Sequence, residues 1–301
     1  MTKDTFSLAV HGGAGARRGR DYTREIAHMK GVVEAARDAL RGGAAAIDVA
    51  EQCVAALEAS GLYVAGRGAS PNLTGQFELD AAIMDGARGM GGAVCALQGF
   101  ESPVAVARAV LETTPHIMLA GEGAGRFATE RGLARIAEET AWFTRAGTDE
   151  SNHPPATPQT SSAGLAHGTV GCVVRDREGR LAGATSTGGV FGKMPGRVGD
   201  TPVLGSGTWA DQACAISCTG QGEFFMKVVA AAQVAFRLRL AGQTLDEATH
   251  TVLTEIARMG GEGGMIAIDA SGTVAMPYNS DGMKRAALLA DGTITSAAFE
   301  L

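Results

Sequence analysis

The chain has 301 residues, 45% of them hydrophobic, enough to bury a sizeable core, and its length falls between one large domain and two ordinary ones. Its 26 Lys and Arg stand against 32 Asp and Glu, a formal net charge of -6, which argues against an electrostatic grip on nucleic acid or acidic lipid. The longest apolar runs, such as 228–235, fall far short of the roughly 20 residues a bilayer span requires. Residues 1–9 also lack a basic start followed by an apolar stretch, so a soluble cytoplasmic protein with no membrane partner is expected.

Along the chain, residues 6–10 read as a short buried strand entering a glycine loop, His11 to Gly15. Helical spacing of apolar residues follows over 25–40 (Val33, Ala36, Leu40) and 45–59 (Ile47, Ala50, Val54, Leu57), with Gly42 and Gly43 between them. Residues 77–84 and 92–97 read as strands, and 104–112 and 123–132 as helices. From 145 to 167 the composition turns to Ser, Thr, Pro and Gly without apolar periodicity, which predicts a linker or flexible tail. Residues 169–174 and 181–187 then form a hairpin pattern around the turn 176–179, and 266–276 and 286–295 repeat the device. Amphipathic helices are predicted at 223–240 and 245–259. Antiparallel strands enclosed by helices point to an α+β fold layered helix, sheet, sheet, helix, and disfavour a parallel Rossmann sheet.

Cys53, Cys95, Cys172, Cys214 and Cys218 are odd in number and have apolar neighbours, as free thiols do in a reducing compartment. Cys214 and Cys218 have no CxxC or His partner, and the six histidines are scattered, so no zinc-like cluster is expected. The glycine loops are weak signals. The stretch from His11 to Gly15 is like an esterase oxyanion loop, but no Gly-x-Ser-x-Gly elbow accompanies it. Residues 188–193 depart from a phosphate loop at Thr187 and Met194, and 121–125 is better read as a helix entry without a preceding strand.

The informative stretch is His167-Gly168-Thr169-Val170-Gly171, where the polar linker meets a strand beginning with a hydroxyl residue. Two readings stand side by side. Thr169 can be an ordinary β-branched strand residue after a turn glycine. Alternatively Gly168, having no Cβ, lets the Thr169 hydroxyl attack the Gly168 carbonyl, so that an ester shift cuts the chain. The freed Thr169 would then carry a nucleophilic hydroxyl and an α-amine of pKa roughly 7.7 to 8.0 able to act as its base.

Further words support the second reading: 185–189 (TSTGG), 195–200 (PGRVGD) and 217–223 (SCTGQGE). With His11 to Gly15, 79–86 (LDAAIMDG) and 279–285, they resemble the plant-type asparaginase and isoaspartyl peptidase family of N-terminal nucleophile hydrolases over nearly the whole chain. The resemblance implies one four-layer αββα domain over 1–301, cut into 1–168 and 169–301 at Gly168 and Thr169. It implies Thr169 as nucleophile, Thr187 as the threonine that orients it, and Thr219 with Gly220 as the oxyanion hole. Arg197 and Asp200 would hold the α-carboxylate and α-ammonium of an aspartyl substrate, with Gly220 and Gly222 lining the amine pocket.

The implied reaction is hydrolysis of asparagine and of β-aspartyl dipeptides through a β-aspartyl ester, with no organic cofactor. A glycosylasparagine hydrolase is the alternative, but its local words differ: Asp before the nucleophile, Asn in place of Gly188 or Gly189, and Gly-Asp where this chain has Gly222-Glu223. The resemblance further implies a structural sodium on main-chain carbonyls of Leu57, Glu58, Ser60, Tyr63, Ala65 and Arg67, and a homodimer of cleaved heterodimers. In that loop Gly61 and Val64 depart from the family pattern, which usually has proline and asparagine there.

Overall fold

The structure, a computed structural model, describes residues 6–144, 146 and 168–300. The chain opens with β1 (Ser7–Ala14), α1 (Thr23–Arg41), α2 (Ala46–Ala59) and a 3-10 turn at Gly66–Gly68. Then come β2 (Leu79–Asp85), β3 (Met90–Leu97), α3 (Pro103–Thr113), β4 (Met118–Ala120), α4 (Gly121–Glu130) and α5 (Glu139–Trp142). After residue 168 follow β5 (Val170–Arg175), β6 (Leu181–Thr187), β7 (Thr208–Ala210), β8 (Cys214–Gly220), α6 (Gly222–Val228), α7 (Ala230–Ala241) and α8 (Leu245–Arg258). The chain closes with β9 (Gly263–Asp269), β10 (Val274–Ala275), β11 (Met283–Leu288) and β12 (Ile294–Ala297). The tail expected at 145–168 lies outside the described residues apart from Ala146 and Gly168.

The strands form an eight-stranded sheet, ordered β12-β11-β1-β5-β6-β2-β3-β4, and a four-stranded sheet, β10-β9-β8-β7. Only β3 and β4 pair in parallel among the described strands. Side chains alternate across each strand, and both faces are covered. In β1, Leu8 and Val10 join Val33 of α1, Leu57 of α2 and Leu111 of α3 in the outer core. Ala9 points the other way, into the layer between the sheets with Val173, Ile266 and Ile268. Ile216, Cys218 and Met265 on the far face of the second sheet meet Val234 of α7 and Val252 and Ile256 of α8. The helix, sheet, sheet, helix order read from the sequence is therefore present. Burial on both faces explains why β1 reads as an unbroken apolar run.

Several local expectations are corrected. The glycine stretch after residue 10 is no loop: β1 continues to Ala14, with a register irregularity between His11 and Ala14 and Gly13 at φ 101°. The helix expected over 223–240 breaks at Val229, which adopts φ 50°. There the first N–H groups of α7 turn to loop carbonyls, Ala231 to Ser206 at 3.1 Å and Ala232 to Gly205 at 2.8 Å, so the new helix takes its cap from outside the chain segment. The helix entry at Gly121 does follow a strand, the three-residue β4. Strands β7 and β8 were not anticipated. Helix α8 begins on a capping box, Thr244 with Glu247, close to its expected start.

Candidate active site

Strand β5 begins at Val170, so Thr169 stands one residue outside the strand it was expected to open. Its carbonyl faces His11 Nδ1 at 3.0 Å. The β5–β6 register sets Val170 opposite Ser186 and so brings Thr169 to the end of β6, where its hydroxyl donates to Thr187 Oγ1 at 3.2 Å. Thr187 Oγ1 also accepts the Gly189 N–H at 3.0 Å. Accepting twice, the Thr187 hydroxyl keeps its own proton to donate. Both threonines are buried.

Gly168 is held by close main-chain approach. A Cβ at Gly13 would lie 2.5 Å from Gly168 Cα, and one at Gly168 would lie 2.7 Å from Val64 Cγ2. The Val64 carbonyl accepts the Gly188 N–H at 2.8 Å, which ties this wall to the end of β6. Val64 meets Gly168 with its apolar side chain and its main-chain nitrogen, each within 2.9 Å of where a Gly168 Cβ would lie.

On the other side stand Arg197 and Asp200. The Arg197 guanidinium donates through Nε at 3.0 Å and Nη2 at 2.8 Å to Glu223 Oε1, in the first turn of α6. Asp200 is 4% exposed, and its Oδ2 has no hydrogen-bond partner. Burial pushes this carboxyl up to about 7, an effect only partly offset by the neighbouring Arg197. A buried carboxylate with one oxygen unused is costly unless a cation or donor arrives. Gly222 leaves room for it: a Cβ there would sit 2.7 Å from Asp200 Oδ1.

Thr219 and Gly220 close β8. Thr219 Oγ1 accepts the Ala14 N–H at 3.1 Å and so retains a proton to donate. Gly220 lies at φ 144°, and a Cβ would fall 2.5 Å from the Glu262 carbonyl, so only glycine fits. One small pocket is walled by Gly168, Thr169, Thr187, Arg197, Asp200 and Gly220. Thr219 and Gly222 are not among its lining residues; they adjoin Gly220 and Asp200 respectively. Two threonine hydroxyl groups, a cation, an unsatisfied carboxylate and the glycine at a strand end thus face one space, an arrangement suited to acyl transfer on a small zwitterion.

The loop from Leu57 to Arg67 is folded around its own carbonyls. Leu57 O accepts from Ser60 Oγ at 2.8 Å, Tyr63 O from Ala65 N at 2.7 Å, Ala65 O from Gly68 N at 3.0 Å and Arg67 O from Thr144 N at 2.9 Å. A Cβ at Gly66 would lie 2.8 Å from Glu58 O, and one at Gly68 would strike Tyr63 O. The turn is thus lined with main-chain oxygens packed closely against Gly66 and Gly68, and Arg67 O accepts a second time, from Thr144 Oγ1 at 3.5 Å. This donor set fits a hard monovalent cation. The Glu58 side chain is engaged elsewhere, accepting from Ser102 Oγ at 2.6 Å and Val104 N at 3.0 Å, and burial pushes it up to about 7. The five cysteines are buried free thiols. Among the described residues no cluster of three or more His, Cys, Asp or Glu could hold a metal ion, and no helix is long and apolar enough to cross a membrane.

A family model described as asparaginase matches residues 4–297. The chain belongs to the asparaginase family. It is 40% identical over 309 residues to the isoaspartyl peptidase of Salmonella typhimurium, covering 97% of this chain and 98% of that one. The isoaspartyl peptidase of Escherichia coli is 39% identical, covering 97% and 95% of the two chains. The plant-type L-asparaginase of Pyrobaculum calidifontis is 40% identical, covering 93% and 95%. The four layers are the N-terminal nucleophile hydrolase sandwich of this asparaginase family, as the resemblance implied.

Sequence reasoning missed the residues that support this asparaginase-family site from behind. His11 was read as part of a loop, although an imidazole closing a buried strand must find partners, and that was a usable signal. Gly189 and Glu223 serve in the sequence only to tell this chain from a glycosylasparagine hydrolase, with no role at the site, and Thr201, which lines the pocket with Gly189, has no signal there beyond following Asp200.

Proposed function

We propose that this protein is an autoprocessing threonine amidohydrolase that converts L-asparagine to L-aspartate and ammonia and cleaves β-aspartyl dipeptides. The observation that carries the reading is the meeting of Thr169 with Arg197 and the half-satisfied Asp200 in one pocket. Family membership and the names of the relatives support it.

In this reading the Thr169 hydroxyl first adds to the Gly168 carbonyl. The Gly168–Thr169 C–N bond then breaks, the hydroxyl proton passing to the departing nitrogen, and water hydrolyses the resulting ester to leave 1–168 and 169–301. Arg197 then takes the substrate α-carboxylate and Asp200 its α-ammonium, which presents the side-chain amide to Thr169. The free α-amine removes the hydroxyl proton as the oxygen attacks. Thr219 Oγ1 and the Gly220 N–H receive the negative charge on the carbonyl oxygen. The proton passes to the leaving nitrogen, so ammonia or an amino acid departs, and water cleaves the β-aspartyl ester. Thr187 accepts from the Thr169 hydroxyl in the uncut chain, and once that proton turns to the free α-amine, the proton that Thr187 retains can turn to the nucleophile and fix its rotamer. Gly220 and Gly222 keep the ammonium side of the pocket open.

The main-chain oxygens of Leu57, Glu58, Ser60, Tyr63, Ala65 and Arg67 would hold a sodium ion, which supplies structure rather than chemistry by fixing the loop that carries Val64. No organic cofactor enters the scheme. The assembly belonging to this reading is a homodimer of cleaved heterodimers in the cytoplasm, where the five buried thiols would stay reduced.

The test is direct. Purified protein is expected as two fragments, the second beginning at Thr169, and Thr169→Ala as one intact, inactive chain. Arg197→Ala should raise KM for asparagine and a β-aspartyl dipeptide together, because both present the same α-carboxylate. An unprocessed, fully active enzyme would overturn the reading.

A further inference from the structure

We infer that His11, locked as the Nδ1–H tautomer by the Thr169 carbonyl and backed by a buried chain of hydroxyl groups, is the positioning residue that fixes the main chain of Thr169; this deepens the proposed function and rests on Thr169 being the nucleophile.

Two hydrogen bonds define the ring. Nδ1 lies 3.0 Å from the Thr169 carbonyl oxygen and Nε2 lies 2.9 Å from Ser217 Oγ, and His11 is fully buried. A carbonyl oxygen can only accept, so Nδ1 must carry the proton. Nε2 is then an acceptor, and Ser217 must donate to it. Burial drives the imidazole down to about 3, so the ring is neutral and has one proton to place. Ser217 Oγ, having spent its proton on His11, accepts from Thr185 Oγ1 at 2.7 Å. Thr185 Oγ1 meets Thr208 Oγ1 at 2.7 Å, and Thr208 Oγ1 lies 3.1 Å from the carbonyl of Thr201, the residue after Asp200.

The chain has a fixed direction at its His11 end because it terminates on an oxygen that cannot donate. It crosses both sheets: His11 is on β1, Thr185 on β6, and Ser217 and Thr208 on β8 and β7. The alternation of strand side chains sets Thr185 on the same face of β6 as Thr187, and Ser217 on the same face of β8 as Thr219. The site also excludes a side chain that would interrupt it. Gly171 pairs with His11 in the β1–β5 register, and a Cβ there would strike Ser217 Oγ and come within 2.5 Å of His11 Nε2. The second glycine of Gly168-Thr169-Val170-Gly171 is thus required by the His11–Ser217 bond.

Fixing the Thr169 carbonyl fixes the peptide plane that Thr169 shares with Val170, and through Cα the directions of its nitrogen and hydroxyl. His11 touches no substrate atom in this arrangement, so it acts on the turnover step and not on binding.

The experiment compares two amide replacements. His11→Asn places its amide nitrogen near the former Nδ1 and keeps a donor for Thr169; His11→Gln places its amide near the former Nε2 and keeps only the Ser217 contact. His11→Asn is expected to retain most of kcat, and His11→Gln to lose about 10-fold or more in kcat with KM unchanged, by the same factor for asparagine and a β-aspartyl dipeptide. Equal kcat in the two variants, or a loss expressed in KM, would overturn the inference. Should His11→Gln fail to mature, the tautomer decides: Thr169→Ala protein, intact and retaining the residue 169 carbonyl, is labelled with 15N-histidine. His11 is then read by nitrogen–proton correlation at pH 7. A neutral Nδ1–H ring is expected, and an Nε2–H ring would sink the inference. Activity surviving in Thr169→Ala would instead overturn the assignment of the nucleophile, so the two failures are separable.

Discussion

The hydroxyl groups of Thr169 and Thr187 lie 3.2 Å apart, with Thr169 donating and Thr187 also accepting the Gly189 N–H at 3.0 Å. Two acceptances orient the Thr187 lone pairs and leave its proton directed away from Gly189. Thr187→Val removes the hydroxyl while keeping the β-branched shape that β6 prefers. In the mature enzyme it should lower kcat by about 100-fold with little change in KM, and Thr187→Ser should recover most of the loss. Steady-state kinetics on asparagine checks this, and a kcat for Thr187→Val close to that of the unmodified enzyme would remove Thr187 from the machinery.

If the chain matures as proposed, the cut should depend on how closely β1 approaches Gly168. Gly13 and Gly15 both adopt positive φ, at 101° and 84°, so an alanine at either is strained by about 1–3 kcal/mol. They differ in surroundings: a Cβ at Gly13 would lie 2.5 Å from Gly168 Cα, and one at Gly15 would meet nothing within 4 Å. Gly13→Ala should therefore slow cleavage by at least about 10-fold through displacement of Gly168, whereas Gly15→Ala should mature at nearly the normal rate. The time course of fragment appearance for the two purified precursors decides it; equal rates would mean that strain alone, and not the contact with Gly168, governs maturation.

The pocket was legible where its residues fall in short words, at Gly168-Thr169, Thr187, Arg197-Asp200 and Gly220, which the structure brings to one space. The machinery behind it was hidden because it depends on strands far apart in the chain. Strand β8 escaped notice because Ser217 and Thr219, polar residues on its inner face, look like loop residues until His11 and Ala14 supply their partners. The break at Val229 was equally hidden, since apolar spacing runs through it and the carbonyls that cap α7 come from Gly205 and Ser206. Alternation in β1 was masked because Ala9 and its neighbours are buried on both faces.

The oxygen-lined loop at Leu57–Arg67 makes a prediction about stability rather than turnover. Sodium held there binds the folded chain alone, so it stabilises by about 1.4 kcal/mol at a concentration ten times its dissociation constant. For a domain of this size each kcal/mol shifts the melting temperature by about 2–4 °C. Protein freed of alkali ions should melt higher in sodium chloride than in choline chloride of equal ionic strength. Identical melting curves in the two salts would remove the ion from the scheme.

The pH dependence of aspartate inhibition isolates Asp200. Burial raises this carboxyl to about 7 in the empty pocket, so the ionised form that receives an α-ammonium is lost as pH falls through that value. Aspartate itself changes little between pH 5.5 and 7.5, because its carboxyl groups titrate near 4 or below and its amine above that range. The inhibition constant should therefore rise roughly 25-fold from pH 7.5 to pH 5.5, the ratio of the ionised fractions for a group titrating near 7. The Thr169 α-amine gains a proton over the same range, but that acts with the opposite sign, because an ammonium there would attract the β-carboxylate of aspartate and tighten binding. Weakening at low pH thus reports Asp200, and a flat or falling inhibition constant would show that the clamp does not work through its ionised carboxylate.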